Sequence, residues 1–316
     1  MRRFKVGILN EHRTWQVGLC EELRRRDIDF REIRIQGTYF DINDEFSDID
    51  LVINRASPSA YNRNHQAAIF FTLEMIEHFE QLGIPVINGS LAYRLEISKA
   101  RQCRLFQQLQ LPFPRTIVVN SPEQAVEAAG SLCIPLVLKP NVGGSGMGCT
   151  TFARHDDLTI EKATEVLAAS VDRTAVLQDH VHADDHKSYR VQMVGLDHLY
   201  TVSAIGGGAN KCLDPDCHQY DPIKTTGCSD QVPVFAEHDE LSEAIDEVRK
   251  IALAGNLDTC GVEYLIHEGK RYYYDINALS VFANKTQIHF EPKDDPTTRF
   301  VNLIEQRLSQ LRRDAA

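Results

Sequence analysis

A chain of 316 residues, 43% hydrophobic and 25% charged, has the composition of a soluble globular protein and the length for two or three compact units rather than one core. Its net charge of −11 argues against a nucleic-acid partner, because a duplex-binding protein needs concentrated Lys and Arg to displace phosphate counterions. No run approaches the roughly 20 apolar residues that cross a bilayer, and the basic N-terminus lacks the apolar segment of a signal peptide, so no membrane partner and a cytoplasmic location are expected.

Residues 4–10 form an apolar run that predicts a buried first strand, and residues 15–25 carry apolar side chains at helical spacing. The run Arg24-Arg25-Arg26 falls at the C-terminus of that helix, where it complements the dipole. Residues 30–35 alternate as a second strand, and residues 50–54 read as a third, continuously apolar one. A helix at 64–82 and a strand at 85–88 complete the set. Alternating strands and helices imply a parallel sheet with crossovers, so residues 1–92 are expected to form a Rossmann-like domain of the α/β class. No Gly-x-Gly-x-x-Gly follows its first strand, which argues against a dinucleotide there.

A helix over about residues 97–110 carries Lys99 near its start, with Pro112 and Pro114 beyond its end. After a strand at 116–119, Ser121 and Pro122 open another helix, and Gln124 stands where it can close a capping box. The apolar strand 134–138 runs into Lys139-Pro140-Asn141-Val142-Gly143-Gly144-Ser145-Gly146-Met147-Gly148. A helix near 159–170 follows, then strands at 175–181, 188–195 and 198–205, a helix at 239–254, a hairpin at 261–276 and a helix at 294–312. The expected units are 1–92, a central unit 93–177 with the glycine loop, and a C-terminal unit 178–316 with the hairpin. Eight cysteines without a secretory signal suggest reduced thiols, and Cys20, Cys103, Cys133 and Cys260, among apolar neighbours, are expected in the core.

Glycines after a strand let the backbone approach a polyphosphate and turn its N–H groups inward, and Lys139 adds a compact charge that reaches phosphate oxygens. The spacing is not that of a Walker A loop, and a plain hairpin between two strands explains the same glycines. Lys99, in the first turn of its helix, is disfavoured by the dipole and becomes sensible beside an anion. Glu263, Asp275 and Asn277 lie on the paired strands of the hairpin, with Asp275 and Asn277 two apart and hence on one face. Three oxygen ligands suit Mg²⁺. Acids in a hairpin are most often solvated, but both of these sit inside apolar runs, where a carboxylate needs a partner.

In order and spacing these segments resemble the ATP-grasp superfamily, and most closely its RimK-like branch of carboxylate–amine ligases. The motifs are Glu96-Ile97-Ser98-Lys99, Leu138-Lys139-Pro140 with its loop, Leu177-Gln178-Asp179-His180-Val181, Ser188-Tyr189-Arg190-Val191, Gly261-Val262-Glu263 and Asp275-Ile276-Asn277. The resemblance implies an ATP-grasp fold with an N-terminal Rossmann-like domain. It implies that Lys99 and Lys139 hold the phosphates of ATP under the backbone amides of Gly144, Ser145, Gly146, Met147 and Gly148. Gln178, Asp179, His180 and Val181 would form the adenine hinge, Arg190 would face the transferred phosphoryl group, and Glu263, Asp275 and Asn277 would hold Mg²⁺ or Mn²⁺. Ser188 stands where the branch has a ribose-binding acid, the basic acceptor motif is missing between 205 and 228, and Asn277-Ala278-Leu279-Ser280 lacks the usual Pro-Gly turn.

The activity so implied joins a small-molecule carboxylate to an amine, free or on a peptide or protein, through an acyl phosphate. A kinase on the same fold, phosphorylating a hydroxyl, is the alternative, and would ask for more basic residues than Lys187, Arg190, Lys211 and Lys224. A non-catalytic nucleotide sensor is a third class, against which the intact lysines and acids argue. For Arg190 a salt bridge to Asp184 or Asp185 is the purely structural role. Cys212, Cys217, His218 and Cys228 form a loose set of soft ligands that suits zinc, reactive thiols or an ordinary loop. His180, His182 and His186 need no metal to explain them. Self-association into a homo-oligomer is left open.

Overall fold

The computed structural model describes residues 4–12, 14–144, 146–205, 234–235, 241–279 and 295–314. Ser145, Lys211, Lys224 and the group Cys212, Cys217, His218 and Cys228 lie outside the described residues, and so does most of the segment 205–228. Among the described residues the strands form three sheets.

The first sheet is parallel, in the order β2-β1-β3-β4, built from β1 (Lys5–Asn10), β2 (Asp29–Arg34), β3 (Leu51–Arg55) and β4 (Val86–Ile87). Helices α1 (Val17–Arg25) and α2 (Gln66–Gln81) provide crossovers, which is why β3 is buried along its whole length and begins with the apolar run Leu51-Val52-Ile53, while edge strand β2 is largely exposed. Helix α3 (Ser90–Glu96) then leads into α4 (Lys99–Gln108), whose start is capped by Ser98 Oγ accepting from Arg101 N at 3.3 Å. The sequence reading gave residues 90–96 no element, because seven residues are too few to display a helical period.

The second sheet, β5-β8-β6-β7, is antiparallel and comprises β5 (Thr116–Val119), β6 (Leu136–Pro140), β7 (Thr150–Phe152) and β8 (Ala175–Asp179). Helices α5 (Pro122–Ala129) and α6 (Ile160–Ala169) cover one face, and Ser121 caps α5 by accepting from Gln124 N at 3.2 Å. The third sheet, β11-β10-β9-β12-β13, is also antiparallel, with β9 (Lys187–Val194), β10 (Asp197–Ile205), β11 (Val234–Phe235), β12 (Thr259–His267) and β13 (Lys270–Asn277). Its apolar face packs on α4 and α7 (Leu241–Ala254), with Phe106, Tyr264 and Tyr273 fully buried between them. Strands β7 and β11, of three and two residues, are too short to show alternation in the sequence.

Packing crosses the sequence spans. Helix α8 (Pro296–Asp314) returns to the first sheet, where Phe300, Val301, Ile304 and Leu308 meet Val6, Ile8 and Leu23. Arg26, the last of the three consecutive arginines, fastens α1 to it through Asn302 and Glu305, both at 2.7 Å. Cys20, Cys103 and Cys260 are buried free thiols, but Cys133 is exposed, contrary to expectation. It sits in the turn before β6, where apolar neighbours in sequence do not become neighbours in space.

A single side chain ties the first sheet to the third. Asn88, just past β4, is buried and left-handed at φ 53°, a conformation Asn tolerates better than other non-glycine residues. Its Oδ1 accepts from Asp258 N at 2.9 Å and Thr259 N at 3.2 Å, while its Nδ2 donates to Thr259 Oγ1 at 2.9 Å and to the Ala278 carbonyl. Those contacts hold the first residues of β12 beside the chain leaving β13. Asn88→Ala leaves two buried N–H groups unpaired and keeps an unfavourable φ, so a loss of about 2–4 kcal/mol is expected. Urea unfolding followed by circular dichroism checks this, and an unchanged midpoint would contradict it.

Candidate active site

Strand pairing assembles the polar face of the third sheet. Arg190 on β9 lies opposite Glu263 on β12, and Glu263 lies opposite Asp275 on β13, so the three side chains form one row across the sheet. Arg190 Nη1 donates to Glu263 Oε1 at 3.1 Å, both side chains being buried. Asn277, two residues beyond Asp275, directs its amide Nδ2 at Asp275 Oδ2 (3.2 Å) and Glu263 Oε1 (3.5 Å). Asp184 and Asp185 are occupied elsewhere: Asp184 accepts from Gly269 N, and Asp185 from Lys187 N and the Tyr189 hydroxyl. The structural partner expected for Arg190 was therefore the wrong carboxylate; the register places Glu263 beside it instead.

The edge strand of this sheet is closed by a helix corner. Glu96, Lys99 and Gln102 follow at three-residue spacing through α3 and α4, and all three meet β13 or the residues just after it. Gln102 donates Nε2 to Ile276 O at 2.9 Å and accepts from Ile276 N at 3.1 Å, which satisfies outward backbone groups that an edge strand leaves open. Glu96 accepts from the amides of Ala278 and Leu279. Between them the Lys99 ammonium makes an ion pair with Asp275.

Burial alone would lower Lys99, but Asp275 holds it above its ordinary range. Asp275 is lowered, because Lys99 first, then Lys139 and Arg190, overcome the effect of burial. Burial and then Asp275 push Glu263 up against the pull of Arg190 and Lys99. Burial likewise pushes Glu96 up to about 7, against Lys99.

Lys139, on β6, lies in the same region on the second sheet, within electrostatic reach of Cys149, Lys99 and Asp275. It is 3% exposed, and among the described residues its ammonium has no ion-pair or hydrogen-bond partner. Burial lowers its pKa, and Lys99 adds to the effect. The loop beyond it needs glycine at two places. Gly146 and Gly148 are left-handed at φ 68° and 72°, and a Cβ on Gly148 would stand 2.8 Å from Pro140 Cγ. The first domain touches this loop, since Tyr61 Oη donates to Gly144 O at 3.2 Å. Asn141 stitches the loop to α4: its carbonyl accepts from Lys99 N at 3.1 Å and its Oδ1 from Ala100 N at 2.9 Å.

Residues 178–181 connect the second sheet to the third. The Gln178 side chain is committed to Thr116 Oγ1 at 2.7 Å, and Asp179 Oδ1 accepts from Cys133 N at 2.8 Å, so what these two offer a ligand is backbone. His180 donates its own N–H to Pro135 O at 2.9 Å, and its ring stacks obliquely on His182. Burial, and then His182, lower its pKa. Val181 is half-buried beside it.

The structure thus brings Lys99, Lys139, Arg190, Glu263, Asp275 and Asn277 into one cleft, with Gly144, Gly146, Met147 and Gly148 in the loop leading from Lys139. Glu96, Gln102 and Asn141 were not identified from the sequence, although the spacing of Glu96, Lys99 and Gln102 is a signal that could have found two of them. For a divalent cation the donor set fits: two carboxylates and an amide that can rotate to present its oxygen make a hard-oxygen site of the kind Mg²⁺ takes. Among the described residues no cluster of three His, Cys, Asp or Glu side chains stands at metal-ligand distance, so such an ion would rely on Asn277 as its third protein ligand.

No family model matches the chain. Part of it is 32% identical over 107 residues to D-alanine--D-alanine ligase of Pseudomonas entomophila, covering 34% of this chain and 33% of that protein. Another match, 28% identical over 146 residues, is to alpha-aminoadipate--LysW ligase LysX of Sulfurisphaera tokodaii, covering 45% of this chain and 48% of that one. The chain therefore spans less than half the length of either relative. In structure it is similar to a RimK-domain ATP-grasp protein of Sphaerobacter thermophilus, with a TM-score of 0.69 at 14% identity, over 95% of this chain and 98% of that one. The chain has the ATP-grasp fold.

The two lysines carry opposite costs. Lys99→Met leaves the half-buried Asp275 without its counter-charge and is expected to destabilise by about 1–3 kcal/mol. Lys139→Met removes an unpaired buried ammonium and is expected to leave stability unchanged or raised. Thermal unfolding of both variants in the absence of nucleotide checks the contrast; equal losses would contradict it.

Proposed function

From the ATP-grasp fold of this chain we propose an ATP-dependent carboxylate–amine ligase that works through an acyl phosphate. The observation that carries this reading is the buried, unpartnered Lys139 ammonium, set beside the Lys99–Asp275 pair at the mouth of a glycine loop. A buried cation without a partner is stabilised by an anion, and a polyphosphate is an anion that the loop backbone can approach closely. The amide-forming chemistry is further supported by the sequence matches to two amino-acid ligases.

In this reading Lys139, Lys99 and the amides of Gly144, Ser145, Gly146, Met147 and Gly148 hold the phosphates of ATP. The backbone of Gln178, Asp179, His180 and Val181 takes the adenine. Glu263, Asp275 and Asn277 hold Mg²⁺ or Mn²⁺, which when bound neutralises phosphate oxygens. A substrate carboxylate oxygen attacks the γ-phosphorus, the bond to the ADP oxygen breaks, and an acyl phosphate forms. An amine nitrogen then attacks the acyl carbon, the carbon–oxygen bond to phosphate breaks, and the nitrogen loses its proton as the amide forms. No protein nucleophile is needed, so the chain's residues supply position and charge.

Arg190 belongs beside the transferred group. Its guanidinium is held by Glu263 through Nη1, and its planar fork suits phosphoryl oxygens. The substrates are a small-molecule carboxylate and an amine, free or at the end of a peptide. The described part of the cleft adds no further cluster of Lys and Arg of the kind a polyphosphorylated acceptor needs, and nothing favours phosphorylation of a hydroxyl. No described helix is long and apolar enough to cross a membrane.

Incubation with ATP, Mg²⁺, hydroxylamine and a panel of amino acids as carboxylates tests the reading. ADP and an amino-acid hydroxamate are expected together, because hydroxylamine traps an acyl phosphate. Asp275→Asn is expected to lower the rate about 100-fold or more, and Lys139→Met to raise the KM for ATP at least about tenfold. ADP without hydroxamate, or full activity in Asp275→Asn, would count against it.

A further inference from the structure

One buried polar group next to the site is left unsatisfied. Gln192, on β9, is 0% exposed, and among the described residues neither its Nε2 nor its Oε1 has a hydrogen-bond partner. Native proteins rarely bury both ends of an amide unsatisfied, because each atom gives up its bonds to water. Strand alternation puts Gln192 on the same face as Arg190, two residues before it, and opposite to Val191 and Met193, which lie in the apolar core. Its cross-strand neighbours are Tyr200 on β10 and Gly261 on β12, and Gly261 in turn lies opposite Asn277. The row Tyr200, Gln192, Gly261, Asn277 thus runs directly alongside the row Val202, Arg190, Glu263, Asp275.

We propose that Gln192 is a specificity-determining residue for the incoming amine, and that it selects an acceptor of the form H₂N–Cα–C=O, an α-amino acid or the N-terminus of a peptide. The inference rests on the ligase reading above. A primary amide offers one acceptor oxygen and an N–H donor on the same plane. An acceptor that carries an N–H and, three bonds away, a carbonyl oxygen satisfies both at once, whereas a simple amine offers no such oxygen to the Gln192 N–H. The position one row from Arg190 sets such an acceptor next to the acyl group it attacks. Gln192 touches neither the nucleotide loop nor the acids of the floor in this arrangement, so its duty is separable from phosphoryl transfer.

The test compares Gln192→Met with the wild type, with Gln192→Leu as the second variant; both keep the volume and remove the polar atoms. The probes are amino acids and dipeptides as acceptors, set against the decarboxylated amines of the same amino acids. In the wild type, kcat/KM is expected to favour the carbonyl-bearing acceptor at least about tenfold. In either variant that ratio falls toward one. Hydroxamate formation, which needs no acceptor recognition, stays within about twofold, and the melting temperature is not lowered. An unchanged ratio in both variants overturns the inference, and so does a parallel fall of hydroxamate and amide formation. A wild type that forms hydroxamate yet shows no preference overturns it while leaving the ligase reading intact. Absence of hydroxamate in the wild type overturns both.

Discussion

The ion pair between Lys99 and Asp275 is the contact on which the geometry of the cleft depends. Lys99 begins helix α4 and Asp275 lies near the end of β13, so a helix and a sheet edge are fixed at the distance of one half-buried salt bridge. Such a pair gives little net stability over an apolar alternative, but breaking it is costly. That asymmetry suits a binding site. Arg190 and Glu263 repeat the arrangement one strand over and more deeply buried, so each cation of the two pairs has a carboxylate beside it. Lys139 is the exception, a third cation with no carboxylate of its own among the described residues. Charge placed in this way accommodates an incoming polyanion and its counter-ion by exchange of partners rather than by rearrangement of the backbone.

Around this floor, asparagines carry the joints. Asn88 binds the first sheet to both ends of the hairpin, and Asn141 binds the glycine loop to the start of α4. Each presents a donor and an acceptor to backbone groups that secondary structure leaves unmatched. Tyr61 adds a contact from the first domain to the loop itself. The consequence is that loop, helix and hairpin are mutually registered, and a ligand bridging them meets a preformed cleft.

Much of this was legible in the sequence because it depends on period and punctuation. The apolar run that opens β3, the alternating polar and apolar residues of β9, and the glycines after Lys139 announce themselves locally. The row of Arg190, Glu263 and Asp275 follows from two hairpin registers, of which only that of Glu263 and Asp275 was anticipated; Arg190 was set against the wrong acids because its strand's other neighbour cannot be read without the sheet order. Glu96, Gln102 and Asn141 escaped for a related reason. Polar residues on a helix or in a loop read as solvated unless the edge strand they satisfy is known to stand beside them. Cys133 failed in the opposite sense, as apolar neighbours in sequence did not enclose it. Gln192 continues the polar alternation of Ser188 and Arg190 on β9, and only its lack of a hydrogen-bond partner among the described residues distinguishes it from a satisfied core amide.

The most direct measurement is a crystal structure with a non-hydrolysable ATP analogue and Mg²⁺. The expected result places the terminal phosphate within hydrogen-bond reach of the Lys139 ammonium, under the glycine loop, with the cation on Glu263, Asp275 and Asn277. A nucleotide bound elsewhere, or a Lys139 ammonium still without an anionic partner in the complex, would contradict it.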